Sequence, residues 1–343
     1  MHTALLERCV EAIGAVRKHI SFSNMMRQKI GAMSFVCKAE AEKCFNVDEM
    51  LSYAPDATNW KVIDHCSAVT RIYALYESFV LQVLREYLVF LSGSYSFSDL
   101  GTDFKAKYTR GIGQILLDQD KQRYQALDID SVLSAAGDAL AGRAGYQLQP
   151  EALIRAEQNL RMPELQRLFS HCGLSGIEGW INAHSAMKSF FADQSRLSET
   201  AASELKQIVE YRNEAAHGEV DDVLGADVLI EISHFFEAMC QSIVDFVQHD
   251  TLRRAKEIGR VQVVGVISEK FSRGIVVAKI SNAEISVNDP LYVYGDGVAM
   301  LVSVQSVRLN GDDVSKAIVV EEAEVGLAIG VSSKVGCELI RFI

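Results

Sequence analysis

The chain has 343 residues, 49% of them apolar and 23% charged, with only four prolines, which excludes a disordered or low-complexity polymer. Its net charge of −11 argues against sequence-blind coating of nucleic acid or anionic membrane and leaves room only for a focused basic site. Single cores stop growing well before this length, so more than one domain is expected.

At the start of the chain, Leu5, Val10, Ile13, Val16 and Ile20 recur at helical spacing, while Glu7, Arg8 and Glu11 interrupt the apolar core that a signal peptide would need. The cysteines at 9, 37, 44, 66, 172, 240 and 337 are odd in number and contain no C-x-x-C pair, so neither a disulfide framework nor a zinc knuckle is indicated. Pro55-Asp56-Ala57-Thr58 opens a long helix expected from about Trp60 to Leu91. Glu77, Gln82, Arg85 and Glu86 break its apolar run, so it cannot span a bilayer cheaply. The expected location is the cytoplasm, with no membrane partner.

Further helices are expected at 113–140, 150–172, 177–193, 197–217 and 221–256, with Gly173, Gly176 and Gly218 at helix stops. Lys105, Lys107, Arg110, Lys121 and Arg123 form a loose basic cluster around Tyr108. It reads as a solvated helix face or, in an RNA-binding chain, as a resting place for the phosphate backbone. His65, His171, His184, His234 and His249 show no H-x-x-E-H or paired i, i+4 spacing, and Gly111-Ile112-Gly113 lacks the strand a nucleotide loop needs. No metal or cofactor is expected.

Near residue 257 the apolar period changes from that of helices to two. RVQVVGVI, RGIVVAKI, PLYVYG, AMLVSVQSVRL, KAIVV, EVGLAIGV and GCELIRFI are β-branched runs separated by turn residues. They predict seven or eight short strands in a small antiparallel β-barrel. The fold class is therefore multidomain, α then β. The expected parts are an N-terminal helical segment (1–55), a helical domain (56–256) and the barrel (257–343).

The most informative stretch is ELKQIVEYRNEAAHGEV, residues 204–220. Leu205, Ile208 and Val209 set a buried stripe and Gly218 supplies a C-cap, which places His217 in the last helical turn. There the unpaired carbonyls favour an imidazolium, suited to proton exchange near neutral pH. Arg212 lies about 140° around the axis, within reach of a shared phosphate, and Asn213 adds an orienting amide. On spacing alone a second reading stands: His217-Gly218 is a common cap, and Arg212 pairs with Glu210 or Glu214.

The segment Arg212-Asn213-Glu214-Ala215-Ala216-His217-Gly218 resembles the signature of the HEPN superfamily of metal-independent ribonucleases, an arginine and a polar residue followed by a histidine at a helix end. YALYESFV, residues 73–80, is similar to the long early helix of stand-alone and defence-associated HEPN groups, where a glutamate, here Glu77, follows a Tyr-rich apolar run. The resemblance spans roughly residues 56–250. It implies an all-α HEPN-like bundle that dimerises through its motif helices, needs no cofactor, and cleaves RNA by attack of the ribose 2′-hydroxyl, leaving a 2′,3′-cyclic phosphate. Arg212, His217, Asn213 and Glu77 are then the catalytic candidates. Glu77 either orients Arg212 or His217 or forms a structural pair. Lys105, Lys107, Tyr108, Arg110 and Arg273 are the substrate-binding candidates.

Residues 260–331 resemble the second domain of translational GTPases such as elongation factor Tu, through Arg273-Gly274-Ile275-Val276-Val277, Ile285-Ser286-Val287-Asn288-Asp289, a long middle strand from Val302 to Val307, and Val325-Gly326-Leu327. The family's glycines are replaced at Ala278, Asn288 and Glu321 or Glu322. No P-loop is present, so GTP hydrolysis is not expected. Together the resemblances imply a toxin or antiphage-defence endoribonuclease acting on tRNA or ribosome-associated RNA, as a homodimer or higher homo-oligomer, with an inhibitory or regulatory protein partner. The alternatives are a non-catalytic HEPN scaffold and an RNA-binding adaptor.

Overall fold

The computed structural model describes residues 2–31, 52–155, 158–192, 200–218, 220–331 and 333–343. Among these, nine α-helices precede ten strands, so the order α then β is as expected. Cys37 and Cys44, and the first residues of the helix expected at 197–217, lie outside the described residues; the five described cysteines are free thiols.

Three long helices make the frame: α1 (Thr3–Gly31), α2 (Ala57–Ser94) and α9 (Ala226–Glu257). Asp56 starts α2 by accepting the backbone N–H groups of Thr58 and Asn59 at 3.0 Å each, which supplies two of the donors a helix N-terminus leaves unpaired. The frame closes on a core in which Tyr73, Tyr76, Tyr87, Phe235 and Phe236 are fully buried and which includes Leu5, Ile13 and Ile20 of α1. The N-terminal helix therefore shares the core of the helices that follow it. Arg17 of α1 also grips the Glu237 carboxylate of α9 with two bonds, 2.8 and 3.0 Å, the fork geometry that best holds a carboxylate.

Shorter helices decorate the frame: α3 (Thr102–Leu117), α4 (Ile129–Leu140), α5 (Met162–His171), α6 (Ile177–Ala183), α7 (Ser185–Ala192) and α8 (Ala201–His217). The helix expected at 113–140 is two. The chain turns after Leu117, where the Asp118 carboxylate accepts from Gln114 and Lys121 at 2.9 Å each. The helix expected at 150–172 begins only at Met162, with Pro163 in its first turn, a position where the missing proline N–H costs nothing.

The β region departs further from expectation. Strands β1 (Val261–Lys270), β2 (Ile275–Ile280), β4 (Pro290–Gly295), β5 (Val298–Ser303), β6 (Ser306–Leu309), β7 (Asp312–Val314), β9 (Ala323–Ala328) and β10 (Glu338–Phe342) form one antiparallel sheet in the order β5-β4-β10-β1-β2-β9-β6-β7, while β3 (Ala283–Ser286) pairs with β8 (Lys316–Val319). Among the described residues no ladder joins β7 to β5, so the closed barrel is replaced by an open sheet capped by a two-stranded ladder. A period of two is common to sheets and barrels and does not specify closure. The expected long strand Val302–Val307 is also broken. Val302 pairs with Leu291 of β4, Val307 with Leu327 of β9, and the chain changes partner between them. Ala283, Ile285, Ala317 and Val319 of the small ladder pack into the same apolar cluster as Val264, Val276 and Val325 of the large sheet. Asn288, where the translation factors carry glycine, is left-handed at φ 73°; Asn tolerates that region better than other non-glycine residues.

The α and β parts touch through a small apolar cluster of Leu252 with Tyr292, Ala299 and Ile340. Around it, Lys256 pairs with Glu338 at 2.7 Å and His249 Nε2 meets the Gly295 carbonyl at 3.2 Å.

Candidate active site

Helix α8 is built to present its C-terminal half. Thr200 and Ser203 form a reciprocal capping box at its start, and Gly218 ends it at φ 77°, the left-handed turn that glycine adopts without a Cβ penalty. Ala201, Leu205, Ile208 and Val209 are buried, which fixes the helix against α2 and leaves Arg212 and Asn213 half-buried and His217 exposed.

Arg212 does not pair with Glu210 or Glu214. Its guanidinium lies over the Tyr73 ring, 5.3 Å from the centroid, and Nη1 donates to Asn213 Oδ1 at 3.3 Å. Glu210 instead faces Lys206 at 4.0 Å, and one Glu214 oxygen is buried without a hydrogen-bond partner among the described residues. Asn213 Oδ1 also accepts from Asn159 Nδ2 at 2.9 Å. This second bond fixes which end of the Asn213 amide faces Arg212. The Tyr73 hydroxyl accepts the Leu160 N–H at 2.7 Å, so the segment before α5 is pinned to both α2 and α8.

The electrostatics follow from burial. Tyr73 is pushed up to about 12, first by desolvation and then by Glu77, against the pull of Arg212 and Arg161; the phenol keeps its proton at neutral pH. Glu77, one turn along α2 from Tyr73 and on the same face, is held above the usual carboxylate range by burial, with Arg212 opposing the shift. Glu77 thus feels the Arg212 charge. The result is a cation resting on an aromatic face and hydrogen-bonded to an amide, with Asn213 as its one hydrogen-bond partner among the described residues. Such a guanidinium suits an anion whose charge grows during reaction.

The structure brings together Arg212, Asn213 and Glu77, with His217 at the solvent-facing end of the same helix. It adds Tyr73, Asn159 and Arg161, which the sequence reading did not assign. Tyr73 was legible, since Tyr73 and Glu77 are one helical turn apart; Asn159 and Arg161 carry no local signal.

The substrate-binding candidates lie elsewhere. Tyr108 is buried, and its hydroxyl accepts the Gln149 N–H at 3.1 Å, so its ring belongs to the core. Lys107 pairs with Asp103 at 2.8 Å and donates to the Ser170 carbonyl at 3.0 Å. Lys105 donates to the Ser98 carbonyl at 3.2 Å, and Arg110 is exposed. Arg273 is exposed in the turn before β2 at φ 61°. None of these partners is on α8. Among the described residues no cluster of three His, Cys, Asp or Glu side chains could hold a metal ion, and no helix is long and apolar enough to cross a membrane.

Against curated proteins the chain has no match. A family model described as RiboL-PSP-HEPN matches residues 45–249, which takes in α2 through the greater part of α9, and with them Tyr73, Glu77, Asn159, Arg212, Asn213 and His217. On that match, covering more than half of its length, the chain belongs to the RiboL-PSP-HEPN family.

Proposed function

We propose that the chain is an endoribonuclease of HEPN type that cuts cellular RNA without metal, with tRNA and ribosome-associated RNA as the candidate substrates. Family membership is consistent with ribonuclease activity. The observation that carries the reading is Arg212: a guanidinium held over Tyr73 and tied to Asn213, not neutralised by Glu210 or Glu214, on the helix that ends in an exposed His217.

In this reading the RNA 2′-oxygen attacks the adjacent phosphorus, the bond to the 5′-oxygen breaks, and a 2′,3′-cyclic phosphate forms. One His217 takes the 2′-hydroxyl proton and a second, from another copy of the chain, gives a proton to the departing 5′-oxygen. Arg212 stabilises the charge that grows on the non-bridging oxygens. Asn213, itself tied to Asn159, holds the guanidinium, and the charge of Glu77 biases its position. A composite cleft of this kind requires a dimer. A toxin or antiphage role, with an inhibitory partner to restrain it, and RNA selection by the β region near Arg273 belong to the same reading.

The test is cleavage of total cellular RNA by the purified full chain, with and without EDTA. Cleavage that persists in EDTA and leaves 2′,3′-cyclic phosphate ends supports the reading. Binding of RNA without cleavage would favour an adaptor, and neither would favour a scaffold.

A further inference from the structure

We propose that the cleft between the helical body and the β sheet is a binding site for a nucleoside phosphate. The inference does not rest on the nuclease reading, and part of the cleft wall, Met300, Val331, Ser333 and Lys334, lies outside the residues the family model matches.

The cleft has two chambers of about 440 and 570 Å³, within the usual range of small-molecule sites. They share one waist, formed by His184, Ser185, Asp245, Met300 and Val331. Beyond it the chambers differ in chemistry. One is walled by Leu6, Val244, Ala299 and Leu301, with Gln241 and Gln248 as its amides. The other carries Lys188, Lys270, Lys334 and Ser333.

Charge points to an anion in the second chamber. Asp245 is the one carboxylate on the described walls, against three lysines, in a chain whose net charge is −11. All three lysines are exposed, and Lys334 bonds the Asp296 carbonyl at 3.5 Å, so their ammonium groups can turn toward a ligand. Ser333 is buried and its hydroxyl lacks a partner among the described residues. A buried hydroxyl in that state is destabilising until something satisfies it; Oγ is closed to solvent as it stands, so a phosphate oxygen at that wall would meet it only when the side chain turns into the chamber.

The waist is already fixed. Ala186 N–H donates to His184 Nδ1 at 3.3 Å, which leaves the ring proton on Nε2, 3.0 Å from Asp245 Oδ2. Gln241 Nε2 donates to both Asp245 oxygens at 3.1 Å. These three bonds take most of the roughly four acceptor sites of a carboxylate, which leaves Asp245, between an apolar chamber and a cationic one, room to accept one ribose hydroxyl. The apolar chamber then takes the base, with Met300 as an adaptable wall. Gln241, whose Nε2 is held by Asp245, keeps its amide oxygen as an acceptor for a donor on the base edge. A ligand spanning both chambers would bridge α7 and α9 to β5 and to Val331, Ser333 and Lys334.

The experiment is calorimetric titration of the full chain with ATP, AMP, adenosine and inorganic triphosphate. ATP should bind at one site, with adenosine and triphosphate each at least about tenfold weaker, because each fills one chamber only. Lys188→Glu with Lys334→Glu should weaken ATP at least about tenfold, Met300→Trp should block the waist, and Arg212→Ala should leave binding unchanged. Circular dichroism checks folding; should Met300→Trp misfold, the charge reversals, at exposed positions, decide. No ATP binding at millimolar concentration overturns the proposal. So do triphosphate binding as tight as ATP, unchanged affinity in the lysine variant, or displacement of ATP by a short RNA.

Discussion

Asn159→Ala and Asn213→Ala, made singly and together, probe whether the segment before α5 holds Arg212 in place. Their mutual bond is 2.9 Å, neutral to neutral and half-buried, which sets its net worth at about 0.5–1.5 kcal/mol. Asn213→Ala also loses the longer 3.3 Å contact from Arg212, so it should cost more, about 1–2 kcal/mol. In a helical body of this size, 1 kcal/mol moves the melting midpoint by roughly 2–4 °C. Because both single changes remove the same bond, the double variant should be more stable than the sum of losses implies, by about 1 kcal/mol. Urea denaturation followed by circular dichroism measures that coupling. Cleavage offers a second readout. An untethered arginine recovers part of its roughly 2 kcal/mol of rotamer entropy, which the transition state must remove again, so Asn213→Ala should cleave about tenfold more slowly. Losses that add to within about 0.3 kcal/mol would mean that the two amides are not bonded in solution, and the account of how Arg212 is positioned would fall.

Gly218→Ala places a side chain at φ 77° with nothing within 4 Å of its Cβ among the described residues, so its cost is conformational, about 1–2 kcal/mol; Gly218→Asn should cost clearly less in the same denaturation assay, and equal losses would contradict the C-cap assignment. His65 is buried with Nδ1 accepting the Leu224 N–H at 3.1 Å, and burial holds it below its ordinary value of 6.5, with Asp222 opposing the shift. Its contribution to stability is therefore complete above the ordinary value and is lost as pH falls through the depressed one. Denaturation midpoints should drop as pH is lowered from above the ordinary value of 6.5 through the depressed one, and His65→Asn, which keeps an acceptor but cannot titrate, should flatten that drop; an unchanged slope would refute it.

What the sequence made legible was local. The end of α8 could be read from Arg212 to Gly218 because the buried stripe, the last turn and the glycine cap are all encoded within a few residues. The same logic was available for Tyr108, which follows Phe104 by four residues and precedes Ile112 by four, on the stripe buried in α3; the lysines around it drew the reading toward RNA instead. Non-local partners were not legible. Asn159 joins Asn213 across more than fifty residues, and nothing in Gln158-Asn159-Leu160 announces it. In the β region alternation located most of the strands, but the change from β4 to β9 between Val302 and Val307 depends on which strand lies alongside, and with it the difference between an open sheet and a barrel. What stands of the C-terminal expectation is an antiparallel β region; the translation-factor-like barrel does not.

The central claim is that Arg212 and His217 perform RNA cleavage, and one comparison tests it most directly. Purified native chain, Arg212→Ala and His217→Ala are incubated with cellular RNA in EDTA, and cut ends are mapped by sequencing. Arg212 loses an aromatic contact at 5.3 Å and one 3.3 Å bond, so its removal should change stability by no more than about 1–2 kcal/mol. Removing a donor aimed at developing charge should slow cleavage by about 10²–10³. The account predicts native cleavage to 2′,3′-cyclic ends and its near loss in both folded variants; undiminished cleavage by either variant would contradict it.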